Sequence, residues 1–154
     1  MLWDPVEDKW SDVEPMNKRR SGVTGSVLPD GRFAVVGGIN ISDESESSDD
    51  ALDLHDWEIY DPLLDEWQQM GTFNSETHAW SSAAATEHEL FVIGGNGCLD
   101  EIFDIDMQRW VTLPESLQGW NVHGGRDGDW GPDQHWAAQM GKTSIVIMPA
   151  AALT

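Results

Sequence analysis

The residues of this chain best suited to chemistry lie in a glycine-rich stretch, 115–134, with the sequence ESLQGWNVHGGRDGDWGPDQ. Hard cations take clustered carboxylate oxygens, and a cation site could be drawn here from His123, Asp127, Asp129 and Asp133. The stretch is not an EF-hand loop, because Pro132 stands where that loop needs its turn glycine. We therefore predict no metal site and no cofactor.

Cys98 is the single cysteine of the chain and follows Gly95, Asn96 and Gly97. A cysteine nucleophile needs a base within hydrogen-bond reach, and no histidine lies close to Cys98 in sequence. We therefore predict a structural or incidental thiol and no catalytic residue. One cysteine cannot form an internal disulfide, which fits a reducing compartment, the cytoplasm or the nucleus.

The chain is strongly acidic, with 28 Asp and Glu against 8 Lys and Arg and a net charge of -20. Such a field repels phosphate backbones and anionic lipid, so we expect neither nucleic-acid nor membrane binding. The negative charge would steer a protein partner with a basic surface toward the chain. A role in solubility alone also explains the acidic composition. No apolar run approaches the ~20 residues of a membrane span, and MLWDPVEDKW lacks the features of a signal peptide.

An internal repeat indicates which elements carry these residues. The distance from Trp10 to Gly38 is 28 residues, and so is that from Trp67 to Gly95. Each glycine pair ends a β-branched apolar run, FAVV or LFVI. A second pattern, an aromatic residue followed by Asp and then by Trp seven residues after the aromatic, occurs three times. It starts at Trp3-Asp4, Tyr60-Asp61 and Phe103-Asp104 and ends at Trp10, Trp67 and Trp110.

The repeat predicts an all-β chain, because short apolar strands alternate with turn residues and no segment has a sustained helical period. Each unit contains four strands, a to d. Residues 1–16 are predicted to be strands c and d of one unit. Two full units follow, at 17–73, with an acidic insertion at 39–59 between strands b and c, and at 74–114. A loop insertion at 115–134 then leads to strands a and b of a degenerate unit at 135–154.

In these motifs the chain resembles the kelch-repeat β-propellers of the galactose-oxidase/kelch type, whose repeat has an apolar strand, Gly-Gly, Tyr-Asp-Pro and a Trp. The resemblance implies blades that are four-stranded antiparallel meanders, about three blade equivalents and an incomplete propeller. The same resemblance implies a structural role for Trp10, Gly37, Gly38, Tyr60, Asp61, Trp67, Gly94, Gly95, Phe103, Asp104 and Trp110. Because propellers usually have four to eight blades, we expect a truncated piece; alternatively, two chains close a six-bladed ring.

The insertions are where we expect function. In a meander the b-to-c and d-to-a connections leave the sheet at the same end, so 39–59 and 115–134 would share one face, where recognition loops are often carried. The residues predicted to contact a partner are Trp57, Trp120, His123, Arg126, Asp127, Asp129 and Trp130. The alternative is that the loops are decoration or that Trp120 and Trp130 pack back onto the sheets.

We therefore predict a non-enzymatic protein-interaction module. The resemblance implies a substrate-recognition part of a ubiquitin ligase or a scaffold, with F-box/kelch-like proteins as the nearest class. The alternative is a fragment of a propeller enzyme, oxidase-like or a small-molecule lyase or isomerase, with its site at the propeller axis. Copper oxidases of this type use tyrosine ligands, whereas the single tyrosine here, Tyr60, occupies the repeat position.

Overall fold

The computed structural model of the chain describes residues 1–40, 52–75, 78–95 and 99–114, and the backbone of two further strands at 135–140 and 144–149. The described residues contain strands and turns and no helix, so the all-β prediction is confirmed. In this part of the chain, accordingly, there is no helix long and apolar enough to cross a membrane.

Two four-stranded antiparallel sheets contain most of the strands. The first sheet has, in spatial order, β3 (Thr24–Val27), β4 (Phe33–Val36), β7 (Asp56–Asp61) and β8 (Glu66–Thr72). The second sheet has β9 (Ser82–Ala85), β10 (Glu89–Ile93), β11 (Glu101–Asp104) and β12 (Arg109–Thr112). The remaining strands form three separate antiparallel pairs: β1 (Leu2–Asp4) with β2 (Lys9–Ser11), β5 (Ile39–Asn40) with β6 (Leu52–Asp53), and β13 (His135–Met140) with β14 (Ser144–Pro149).

The aromatic-Asp-Trp pattern builds the same turn three times. Its aromatic and Trp residues are direct cross-strand partners: Trp3 with Trp10, Tyr60 with Trp67, and Phe103 with Trp110. In each copy the Asp carboxylate accepts a backbone N–H of the turn, from Val6 at 2.8 Å, Leu63 at 2.9 Å and Met107 at 2.9 Å. Each turn then closes on a left-handed residue with φ of 52°, Asp8, Asp65 or Gln108.

The glycine pairs end the second strand of each sheet with a left-handed backbone. Gly37 and Gly38 have φ of 61° and 87°, and the second pair has φ of 72° and 106°. A Cβ on Gly38 would lie 2.6 Å from the carbonyl oxygen of Ser21, so a side chain there would collide with backbone. Glycine is therefore required where the chain leaves β4 beside the segment that leads into β3.

The two sheets pack against each other through Trp57 of the first sheet. Its ring centroid lies 4.6 Å from that of Phe103 and 5.6 Å from that of Trp110, both edge-on, as aromatic pairs prefer. Trp57 and Ile59 face this core because residues two apart in a strand share a face. The opposite face of β7 carries Glu58 and Tyr60.

The burial of Trp57 corrects its predicted role as a partner contact in an exposed loop. The side chain is 1% exposed, since β7 begins at Asp56 and the last residues of the predicted insertion are strand. The alternating pattern of β7 then turns Trp57 toward the second sheet. Trp57 is a core residue.

The first strands of successive units lie side by side. Strand β9 contacts β3 of the first sheet and also β13. Strand β13 pairs with β14 in an antiparallel hairpin.

Candidate functional site

The alternating strand directions give each sheet two different ends. One end, here called the turn end, carries the tight turns at 28–32, 61–66, 86–88 and 104–109. The other, the loop end, carries residues 17–23, 37–40, 52–56, 73–75, 78–81, 94–95 and 99–100, including the base of the acidic insertion.

The acidic insertion leaves the first sheet as a two-stranded ribbon. Ile39 and Asn40 pair with Leu52 and Asp53, so the insertion closes through backbone hydrogen bonds before its polar part begins. Ser21 and Ile39 exchange two backbone hydrogen bonds of 2.8 Å, which attach the ribbon to the segment entering β3. Residues 41–51, with the serines at 42, 45, 47 and 48, lie outside the described residues.

In the first sheet the carboxylate of Glu58 is completely buried and accepts four hydrogen bonds from one short segment. The donors are the backbone N–H groups of Asn17 at 2.7 Å and Lys18 at 3.3 Å, the side-chain Nδ2 of Asn17 at 3.0 Å, and Nε of Arg20 at 2.8 Å. A buried charge needs such partners, because desolvation of a lone carboxylate costs several kcal/mol. Glu58 therefore holds the entry segment of β3 against β7.

Arg20 extends this cluster and is also completely buried. Its Nη1 donates to the carbonyl oxygens of Gly37 and Asp56, each at 3.0 Å, and its Nη2 donates to Asp56 Oδ1 at 2.6 Å. Lys18 also pairs with the Asp56 carboxylate. Burial alone would raise the pKa of Asp56, but the hydrogen bonds and charges of Lys18 and Arg20 outweigh it and lower the pKa below its ordinary value.

The second sheet contains the same arrangement around Glu101. The Glu101 carboxylate accepts the backbone N–H groups of Asn74 at 3.2 Å and Ser75 at 3.1 Å, and His78 Nε2 lies 2.8 Å from it. Burial alone would raise the pKa of Glu101, but the hydrogen bonds from His78 and Ser75 lower it. Glu101 and His78 are both completely buried, so this carboxylate-histidine pair presents no atom to a solvent-borne substrate.

The buried carboxylates extend the repeat that the glycines and aromatics define. Glu58 precedes Tyr60 by two residues, as Glu101 precedes Phe103. The first donor in each cluster is an asparagine, 21 residues before the second glycine of the pair: Asn17 before Gly38 and Asn74 before Gly95. The buried carboxylate and its asparagine donor were not predicted from the sequence, although their fixed spacing from the glycine pair could have revealed them.

Trp80 is the most unusual exposed residue of the loop end. It has φ of 63°, a left-handed conformation that is rare for a bulky residue and marks strain or function. Its N–H donates to the carbonyl of Gly22 at 2.8 Å, and a Cβ on Gly22 would lie 2.9 Å from its ring. The side chain remains 49% exposed. Sequence analysis did not select Trp80, since a left-handed backbone cannot be read from its neighbours.

Exposed apolar and basic groups lie on the same loop end as Trp80. Val23 follows Gly22 and Leu52 begins the returning strand of the ribbon, and both are exposed. The Lys18 side chain is also partly exposed. Together these residues offer an aromatic, aliphatic and charged surface on a backbone fixed by the carboxylate clusters.

Most of the predicted partner contacts lie in the loop insertion, outside the described residues. They are Trp120, His123, Arg126, Asp127, Asp129 and Trp130. Cys98 lies outside them as well. Within the described ranges no three His, Cys, Asp or Glu side chains are arranged to hold a metal ion. No model of a known protein family matches the sequence.

Proposed function

We propose that this chain is a non-enzymatic protein-interaction module of kelch type, an incomplete β-propeller that binds a protein partner at its loop end. The observation that carries the proposal is Trp80, a half-exposed aromatic residue held in a left-handed backbone. Strain of this kind costs about 1–3 kcal/mol and persists where the surrounding structure or a function requires it.

Several features support a propeller arrangement of the repeats. Each four-stranded sheet repeats the glycine pair, the aspartate-capped turn and the buried glutamate. Strand β9 lies beside β3 and β13, which fits first strands arranged around a common axis. A large aromatic, Trp57, fills the space between two successive sheets, as blade packing requires.

A rigid base suits Trp80 for partner recognition. Exposed tryptophans contribute strongly at protein interfaces because they bury a large area with little loss of side-chain entropy. Trp80 rests on Gly22, whose neighbouring segment is fixed by the Arg20 and Glu58 cluster. The acidic insertion, which follows Gly38 and ends before β7, begins at the same end. We therefore propose that the partner binds there and carries basic residues.

The class of partner follows from this proposal together with the kelch resemblance. A module that presents a tryptophan and acidic loops on one end of a rigid scaffold fits substrate recognition for a ubiquitin ligase or a scaffold role. The predicted contacts Trp120, His123, Arg126, Asp127, Asp129 and Trp130 remain part of the proposal.

A comparison of two tryptophan variants tests the proposal. Trp80→Gly removes the ring and relieves the left-handed strain, whereas Trp10→Ala removes a tryptophan of similar exposure, 60%, from the β1–β2 hairpin. Quantitative capture followed by affinity measurement should show a partner that binds the wild type and Trp10→Ala. Trp80→Gly should lose this partner, while the circular dichroism spectra of both variants stay like that of the wild type. Equal binding by Trp80→Gly contradicts the proposed surface, and turnover in a metabolite screen contradicts the non-enzymatic role.

A further inference from the structure

The turn end, opposite the proposed partner face, has a cleft of its own in the first sheet. An open cavity of about 350 Å³ lies between its two turns and is lined by Asp30, Gly31, Arg32, Asp61, Pro62 and Leu63. This volume is in the range of sites that bind small molecules or peptide side chains.

A second, smaller cavity lies beside this cleft, at the junction between the two sheets. It measures about 80 Å³, and its apolar walls include Leu28, Ile59, Phe103 and Ile105. A single water needs only ~10–15 Å³, so this cavity has room for an aliphatic side chain. Asp30 and Arg32 line both cavities, so the two are adjacent at the turn end, and together they are called the groove.

The leucine pair beside this groove is not required by the fold. Leu63 is 94% exposed and Leu64 is 66% exposed. The other two copies of the turn carry Val6-Glu7 and Asp106-Met107 at these positions, with the same aspartate cap and the same left-handed residue. Two adjacent exposed leucines beside an apolar-walled groove therefore indicate a contact surface.

The charges around the groove specify the partner. Asp61, Asp65 and Glu66 lie in the same turn as the leucine pair. Arg32 is the basic residue that lines the groove, and its charge is matched by Asp30, with Nη2 to Oδ2 at 2.8 Å. The local surface is therefore negative, in a chain of net charge -20. Such a surface attracts lysine and arginine and repels acidic peptides.

We propose that the groove of the turn end is a second interaction surface, which binds an extended partner segment of alternating aliphatic and basic residues. One aliphatic side chain enters the cavity between the sheets, the next packs on Leu63, and the basic residues contact Asp61, Asp65 and Glu66. This surface is independent of the loop end and requires only the two described sheets.

The test uses a short fluorescein-labelled peptide of alternating leucine and lysine and measures its binding by fluorescence anisotropy. Leu63→Ser should weaken binding about ten-fold, because the peptide loses an apolar contact with the leucine side chain. Leu52→Ser, which removes an exposed leucine at the loop end, is the matched control and should bind as the wild type does. Equal weakening by both variants, or by neither, overturns the proposal.

Two further measurements separate this groove from nonspecific charge attraction. A peptide with serine in place of leucine keeps the charge and should bind at least ten-fold more weakly, whereas equal binding would mean a purely electrostatic contact and refute the groove. In methyl NMR the peptide should shift Leu28 and Ile105, which line the inner cavity, and not Leu52. Trp80→Gly should leave peptide binding unchanged. A failure of the proposal for the turn end can therefore be distinguished from a failure of the proposal for the loop end.

Discussion

Replacing Arg20 by methionine should destabilise the protein more than any single surface ion-pair substitution. The guanidinium is completely buried and donates to Glu58, Asp56 and the carbonyl of Gly37. Methionine has similar length and can fill the space, but it donates no hydrogen bond. The Glu58 carboxylate would then keep the neutral donors of Asn17 and Lys18 but no cationic partner from this segment.

The magnitude follows from the burial of both partners. Removing one member of a buried ion pair costs about 3–5 kcal/mol, because the remaining charge stays desolvated. This is a large part of the ~5–15 kcal/mol that stabilises a typical domain. The double substitution Arg20→Met with Glu58→Gln removes both charges and should cost clearly less than the sum of the two single substitutions.

Urea unfolding followed by tryptophan fluorescence measures these differences as changes in the free energy of unfolding. The matched control is Arg32→Met, whose pair with Asp30 is partly exposed and should contribute no more than about 1 kcal/mol. A loss of under ~1 kcal/mol for Arg20→Met would refute the assignment of Arg20 as the counter-ion of Glu58. Strict additivity in the double variant would refute their coupling.

Three further predictions concern the core, the backbone and the response to acid. Trp57→Ala should cost about 3–5 kcal/mol in urea unfolding, because the ring fills the space between the sheets; a loss below ~1 kcal/mol would contradict its core position. Gly38→Ala should lower the melting temperature, since its φ is 87° and the new Cβ would lie 2.6 Å from the Ser21 carbonyl; an unchanged melting temperature contradicts this. Because the folded-state pKa values of Glu101 and Asp56 are lowered, ionisation of these two carboxyl groups stabilises the folded protein. This stabilisation is complete at pH values above the ordinary carboxyl pKa and is lost as the pH falls through the lowered folded-state pKa values. The free energy of unfolding should therefore fall below pH ~4.5, and less steeply in Glu101→Gln.

Local sequence signals predicted the strands and turns well. Glycine pairs, Asp-Pro turns and β-branched runs act over a few residues, so their spacing identified the order of strands in both sheets. The start of β7 was missed for a physical reason. Asp56 and Glu58 read as the end of an acidic loop, but they are strand residues whose charges meet Arg20, 38 residues away from Glu58. Composition does not reveal a partner at that distance.

The site was less predictable than the fold, as Trp80 illustrates. Its sequence context, HAWSS, identifies a strand start but not a left-handed backbone. That conformation depends on Gly22, which precedes Trp80 by 58 residues and accepts its N–H. The exposure of Trp80 therefore results from packing between units. The exposure predicted for Trp57 was wrong, because that prediction placed Trp57 in a loop.

The two buried glutamates have a consequence for how such a chain can change during evolution. Glu58 and Glu101 each bind two successive main-chain N–H groups, of Asn17-Lys18 and Asn74-Ser75. Apart from proline, any residue supplies such a group. A new incoming segment can therefore supply part of this attachment through its backbone alone, while at Glu58 the side chains of Asn17 and Arg20 supply the rest. An insertion between Gly38 and Glu58 leaves both parts of the attachment intact. Repeats joined in this way can be lengthened, duplicated or exchanged while each keeps its anchor.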